Sequence, residues 1–140
     1  MDSDQFVKRI RELTEFDRER SALLARTTLV TLGTRISPEE ADDLAAQLPR
    51  SFAACLQHES AACRFGPDEF KRRVARILPL ANDQAGPAVK AVFHVLSDAV
   101  SGGELRHVLR QLSADYEPLV GMTTGQAASL PSGVSEHSQA

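Results

Sequence analysis

The chain has 140 residues, of which 42% are hydrophobic, 25% charged and 5% aromatic, and its net charge is −3. This is the composition of a globular protein large enough to bury a core in one domain without a metal or disulfides. The negative charge argues against a surface built as a whole for phosphate backbones. No apolar run approaches the ~18 residues that span a bilayer, and no apolar core follows the N-terminal basic residues as in a signal peptide. The sequence therefore predicts a cytoplasmic protein without a membrane segment.

The first half of the chain predicts four helices. Apolar residues at helical spacing predict the first helix over 3–14, and Asp17 is a suitable N-cap for a longer second helix. Ser37-Pro38-Glu39-Glu40 predicts a capping box with proline at the first helical position. We expect the serine oxygen to accept from the backbone N–H of Glu40, and the glutamate to reach back to the serine N–H. Pro49 ends this third helix and can open a short fourth.

The second half repeats this plan at an offset of 64 residues, and Ser101-Gly102-Gly103-Glu104 restates the capping box. Residues 4–56 align with residues 68–120 without a gap and share eight identities, against about three expected from average residue usage. The identical pairs are Asp4/Asp68, Phe6/Phe70, Arg9/Arg73, Leu32/Leu96, Ser37/Ser101, Glu40/Glu104, Gln47/Gln111 and Leu48/Leu112. Because these pairs fall on apolar stripes and helix starts, the pattern is typical of a duplicated supersecondary unit.

We therefore predict an all-α fold of about eight helices, built as two four-helix repeats packed around a pseudo-two-fold axis into one domain, residues 1–120. Repeat one spans residues 4–56, a linker spans residues 57–66, and repeat two spans residues 67–120. Residues 121–140 are rich in glycine, serine, threonine and alanine and carry a single charge. We predict that they form a disordered tail.

The third helix of each repeat carries a family resemblance. The segments 36–49 and 100–112 share a serine-glutamate start and a Gln-Leu end, and each is followed by an aromatic residue four positions after the leucine. They resemble the bacterial family catalogued as domain of unknown function 2267, over nearly all of residues 4–120. Ser113 departs from the family pattern, in which a proline is common, and this affects only the last corner. The resemblance implies a small, all-helical bacterial cytoplasmic protein without an assigned activity, and it brings no catalytic residues.

Cys55, His58 and Cys63 are the residues of metal-ligand type at short spacing. Tetrahedral zinc sites use four ligands, commonly in Cys-x-x-Cys pairs, whereas this set has three at irregular spacing. The alternative is that Cys55 belongs to the core and that His58 and Cys63 are linker residues. On this basis no metal and no cofactor is predicted.

The densest positive stretch of the chain consists of Arg64, Lys71, Arg72, Arg73 and Arg76. Such a helix face could bind phosphate of a nucleic acid or an acidic partner. The alternative is a solvated face balanced by neighbouring acids. Since no aromatic residue interleaves with these bases, nucleic-acid binding is the least favoured of the predicted functions.

Other charged positions have ordinary explanations. Glu39, Glu40, Asp42 and Asp43 form an acidic first turn, which the helix dipole explains without a cation site. His107 lies beside an apolar stripe and lacks a nucleophile that the sequence can place near it.

The sequence contains no assembled catalytic motif, so we predict no enzyme activity and no catalytic residues. The favoured function is a non-enzymatic protein-interaction or self-association module, whose partner is an unknown protein or a second copy. The alternative is small-ligand binding in a groove between the repeats, which a pocket lined by Phe6, Phe70 and Phe93 with polar residues converging on it would support.

Overall fold

The computed structural model of the protein describes residues 1–58 and 61–122. Within these ranges it contains eight α-helices, one 3₁₀ helix and no strand, which confirms the predicted all-α fold. The helices are α1 (Ser3–Thr14), α2 (Arg18–Arg35), α3 (Pro38–Ala45), α4 (Arg50–Leu56), α5 (Pro67–Ile77), α6 (Asn82–Ala99), α7 (Gly102–Gln111) and α8 (Glu117–Val120), and the 3₁₀ helix spans Ala114–Tyr116. The predicted tail over residues 121–140 lies, from residue 123 on, outside the described residues.

The predicted helix starts are confirmed because their signals are local. Asp17 caps α2 by accepting a hydrogen bond from the backbone N–H of Arg20 at 2.8 Å. The hydroxyls of Ser37 and Ser101 accept from the backbone N–H groups three residues later, at 3.2 Å and 3.1 Å. Each of these caps satisfies one N–H that a helix N-terminus leaves without a partner.

The prediction that the glutamate of each capping box accepts a hydrogen bond from the serine N–H is wrong. The backbone N–H of Ser37 donates to Oε1 of Gln111 at 2.7 Å, and the backbone N–H of Ser101 donates to Oε1 of Gln47, also at 2.7 Å. The acceptor is therefore a glutamine at or just past the end of the third helix of the other half, because α3 packs against α7 with the start of each helix beside the end of the other. Glu40 and Glu104, which were expected to accept these hydrogen bonds, do not accept them.

The long helices α2 and α6 hold the two halves together. Helix α1 packs against both α2 and α6, and α5 packs against both α6 and α2. The buried apolar residues form one cluster that begins in α1 and ends in α8. The first helix of each half thus covers the long helix of the other half. The pseudo-two-fold arrangement of the whole chain stays a prediction.

Helix α2 also approaches α4 closely, and glycine is required at the contact. A Cβ atom built on Gly33 would lie 2.7 Å from the backbone oxygen of Leu56 and 3.1 Å from its Cα. These are backbone atoms, which cannot rotate away. The absence of a side chain at position 33 therefore sets the distance between the two helices.

The aromatic residues lie in the core. Phe6, Phe70 and Phe93 have no exposed surface, and the Phe70 ring lies 6.2 Å from Phe93 and 6.0 Å from Tyr116, between ring centroids. The pocket lined by Phe6, Phe70 and Phe93 that would support ligand binding is not formed, because all three side chains are fully buried. Their burial stabilises the fold.

A buried arginine, Arg35, lies at the C-terminal end of α2. The Arg35 Nε donates to the carbonyl of Phe65 at 2.9 Å, and its Nη1 donates to the carbonyl of Gln111 at 2.7 Å. The hydroxyl of Tyr116 donates to the same Phe65 carbonyl at 2.6 Å. The backbone N–H of Cys63 adds a bond to the carbonyl of Thr34 at 2.8 Å. The described part of the linker is thereby fixed against the C-terminal end of α2.

Candidate functional site

An open groove lies between α2 and α5 and encloses about 610 Å³. Val30 and Ile77 are large apolar residues on its wall, yet they are 49% and 58% exposed. The remaining lining residues are Arg26, Thr27, Thr31 and Thr34 of α2, Cys55 of α4, and Glu69, Arg73 and Arg76 of α5. Because α2 belongs to the first half and α5 to the second, the groove lies between the two predicted repeats.

The rim of the groove carries an excess of positive charge. Arg73 donates to Glu69 at 2.9 Å, and its guanidinium lies 3.9 Å from the centroid of the Phe65 ring. Arg72 donates to the other oxygen of Glu69, also at 2.9 Å. Hydrogen bonds from Arg73 and Arg72 lower the pKa of Glu69, so this carboxylate stays ionised.

Two further arginines of the groove are free to bind an anion. Arg26 and Arg76 make no ion pair with an acid in the part of the chain that the structure describes. They belong to α2 and α5 respectively, so positive charge lines both sides of the groove. An anionic group could therefore be bound from either wall.

The predicted basic cluster is divided by the fold. Lys71 pairs with Asp68 at 3.4 Å, and Arg72 and Arg73 share Glu69, so the acids of the same helix neutralise much of the face. Arg73 and Arg76 line the groove, whereas Arg64 is exposed in the linker. Nucleic-acid binding through this face stays a prediction.

The three candidate metal ligands of the sequence do not form a cluster within the described residues. Cys55 is half-buried in the groove, where its thiol lies 3.8 Å from the carbonyl of Ser51. Burial raises the pKa of this thiol, and the nearby charge of Arg26 opposes that shift. His58 Nε2 lies 3.1 Å from the carbonyl of Ile36, while Cys63 is exposed and both cysteines are free thiols.

A different cluster of titratable residues lies between α3 and α7. Carboxylate oxygens of Glu40 and Glu104 and a ring nitrogen of His107 all lie within 4.8 Å of one another. Both glutamates are only 8% exposed, although His107 is exposed. The Oε2 atom of each glutamate is buried and has no donor among the described residues. Two buried carboxyl groups thus face each other without a cationic side chain between them.

A shared proton would satisfy this pair in the absence of a cation. Burial is the largest cause that raises the pKa of Glu104 to about 8, followed by its hydrogen bond with Glu40, the charge of Glu40 and the charge of Asp43. Two carboxylates in contact cannot both ionise cheaply, so one retains its proton near neutral pH. The proton supplies the hydrogen-bond donor that the buried oxygens otherwise lack.

Because of this carboxyl pair, we expect the free energy of unfolding to fall as pH rises. An unfolded glutamate releases its proton near pH 4.5, whereas Glu104 in the folded chain holds it to about 8. The folded state therefore binds more protons between these values, and its stability decreases by about 1–3 kcal/mol from pH 5 to pH 8. Urea unfolding at pH 5.5, 7 and 8.5 measures this slope. Glu104→Gln should flatten it and the exposed control Glu39→Gln should not; equal slopes in the two variants would contradict the prediction.

The carboxyl pair is not predicted by the sequence, because each glutamate has a local explanation. Glu40 fits an acidic first turn stabilised by the helix dipole, and Glu104 fits a capping box. The signal was present in the repeat, since serine, glutamate and glutamine are identical at matching positions of α3 and α7. These identities are the positions that meet across the contact between the two helices.

The described structure is thus an all-helical protein with an open groove and a buried carboxyl pair. The chain belongs to the family described as "uncharacterized conserved protein (DUF2267)", whose model matches residues 3–119. This match confirms the family resemblance found in segments 36–49 and 100–112. No curated protein matches the sequence. Among the described residues, no helix has the length and apolar content needed to cross a membrane.

Proposed function

We propose that the protein is a non-enzymatic interaction module that binds a short apolar and acidic segment of a partner protein in the groove between α2 and α5. The observation that carries this proposal is the exposure of Val30 and Ile77 on facing walls of one open groove. Exposed apolar residues rimmed by polar ones are typical of interaction sites. The proposed setting is the cytoplasm, as predicted from the sequence.

The size of the groove favours a short segment over a broad protein surface. The large apolar residues with substantial exposure are Met1, Leu13, Val30 and Ile77 in the part of the chain that the structure describes. Only Val30 and Ile77 lie in the same groove. They do not form a patch of the area that a stable interface between two folded domains requires. A peptide can instead place one or two apolar side chains between α2 and α5.

The charge of the rim favours acidic residues in that segment. Arg26 and Arg76 have no acidic partner among the described residues, and Arg73 already shares Glu69 with Arg72. Carboxylates of a bound peptide could pair with Arg26 and Arg76 from opposite sides. Such pairs at a rim mainly set orientation and the rate of association.

Peptide selection tests this proposal. A random peptide display library selected on the purified protein should yield sequences that combine large apolar residues with aspartate or glutamate. A synthetic peptide from the selection should bind Ile77→Asp at least tenfold more weakly by fluorescence anisotropy. The substitution removes an apolar contact and adds a negative charge that repels an acidic ligand.

Leu13→Asp is the matched control. Leu13 is the counterpart of Ile77 at the repeat offset, lies at the end of α1 and is 43% exposed. It does not line the groove, so Leu13→Asp should leave the affinity unchanged. Equal binding to wild type and Ile77→Asp, or equal loss in both variants, would contradict the proposal. Self-association that Ile77→Asp abolishes would instead assign the groove to a second copy of the chain.

A small amphipathic carboxylate is the second candidate for the same groove. The enclosed volume of about 610 Å³ falls within the roughly 300–1,000 Å³ of small-molecule sites. Decanoate would present the same chemistry as the peptide, an apolar body with one carboxylate. A rise in Tm with decanoate that decanol does not reproduce, and that Ile77→Asp removes, would favour this candidate.

A further inference from the structure

The contact between α3 and α7 contains two acids that the fold leaves without a counter-charge. Glu40 and Glu104 are each more than nine-tenths buried, and the buried Oε2 atom of each has no hydrogen-bond donor among the described residues. Burying a carboxylate in this way is costly unless it is protonated or paired with a cation. The carboxyl pair therefore requires either the shared proton or a bound cation in the place of that proton.

The two glutamate side chains do not accept the N–H groups at the starts of α3 and α7, because glutamines accept them instead. Gln111 and Gln47 accept the backbone N–H groups of the two helix-start serines at 2.7 Å. Glutamate at the third helical position ordinarily takes that role. With the glutamines in place, the carboxylates turn into the interface between α3 and α7, where they meet His107.

The donor atoms lie close enough to share one ion. Oxygens of both glutamates and a ring nitrogen of His107 lie within 4.8 Å of one another. Ligands bound to one zinc ion at about 2.0–2.2 Å are separated by roughly 3–3.5 Å, so small rotamer changes suffice. His107 is exposed and can make such a change, and it gives an ion a path from solvent.

We propose that Glu40, Glu104 and His107 bind one divalent cation of the zinc class between α3 and α7. The ion's two positive charges balance the two buried carboxylates and supply the partner that their oxygens lack. Imidazole together with carboxylates suits zinc, whereas magnesium and calcium prefer oxygen ligands alone. The fourth position of a tetrahedral site is left for water or for Asp43, whose charge already acts on Glu104.

Calorimetric titration of chelator-treated protein with zinc chloride at pH 7.5 tests the site. Wild type should bind one zinc per chain with a Kd in the micromolar range or tighter, and should not bind magnesium at the same concentration. Zinc should also raise Tm, because a ligand that binds only the folded state stabilises it. Glu104→Gln and His107→Ala should each weaken zinc binding at least tenfold. His107 is exposed, so its substitution leaves folding intact even if Glu104→Gln alters it.

Two control variants separate this site from other ligands in the chain. Cys55→Ser/Cys63→Ser removes both thiols, and His94→Ala removes an exposed histidine of α6. Both should retain wild-type affinity for zinc. The proposal is overturned if wild type binds no zinc, which would mean that the carboxyl pair holds only a proton. It is also overturned if the cysteine variant loses binding or if His107→Ala retains it in full.

Discussion

Replacing Arg35 with alanine should destabilise the protein by about 2–4 kcal/mol, which is a large share of the stability of a domain of this size. The guanidinium is buried and bonds the carbonyls of Phe65 and Gln111 at 2.9 Å and 2.7 Å. The structure gives it no carboxylate partner among the described residues, but Gln111 is the last residue of α7, where the helix dipole is negative. Alanine would leave the Gln111 carbonyl without this donor and would open a cavity beside Tyr116.

Chemical unfolding of Arg35→Ala measures this loss. Arg18→Ala is the matched control, because Arg18 lies on the same helix but is exposed and pairs with Asp4 at 3.2 Å. It should change the free energy of unfolding by less than about 1 kcal/mol. The loss of unfolding free energy in the double variant Tyr116→Phe/Arg35→Ala should differ from the sum of the two single losses. The two side chains are coupled because both bond the Phe65 carbonyl. Strict additivity, or an Arg35→Ala variant as stable as Arg18→Ala, would refute the role assigned to this arginine.

Gly33→Ala should destabilise the protein by about 1–3 kcal/mol, although alanine is ordinarily better than glycine in a helix by about 1 kcal/mol. The new Cβ would lie 2.7 Å from the backbone oxygen of Leu56. No side-chain rotation relieves a contact with backbone, so α2 and α4 must move apart along their shared face. Gly33→Val should cost more still, and the unfolding free energy in urea measures both variants.

Gly103→Ala tests the same chemical change where space is available. A Cβ on Gly103 would meet no atom within 4 Å, and the residue lies in the first turn of α7. This variant should be as stable as wild type or more stable by up to about 1 kcal/mol. If Gly33→Ala is also neutral or stabilising, the close approach of α2 and α4 is not the reason for glycine at position 33.

The helices could be predicted from the sequence because their signals lie within a few residues. Serine caps mark the starts of α3 and α7 without knowledge of the rest of the chain, and Pro38 at the first position strengthens the signal for α3. The short last helix also has local signals, since Pro118 lies in its first turn and Gly121 ends it in the left-handed conformation. Local physical chemistry is sufficient for features of this kind.

The groove and the carboxyl pair could not be predicted, because their residues are distant in the sequence. Glu40 and Glu104 are 64 positions apart, and only the packing of α3 on α7 brings them together. Ile77 is an apolar residue of α5, but it lies on the exposed side of that helix. Arg35 is buried because the linker and α7 lie against it. Each case depends on a tertiary contact that no short-range pattern encodes.

The packing of each first helix on both long helices has a consequence for a chain cut between its halves. Helix α1 packs on α6 as well as on α2, and α5 packs on α2 as well as on α6. A fragment that ends before α5 would expose the faces of α1 and α2 that α6 and α5 cover in the whole chain. Each half should therefore lack a complete core when it is separated from the other.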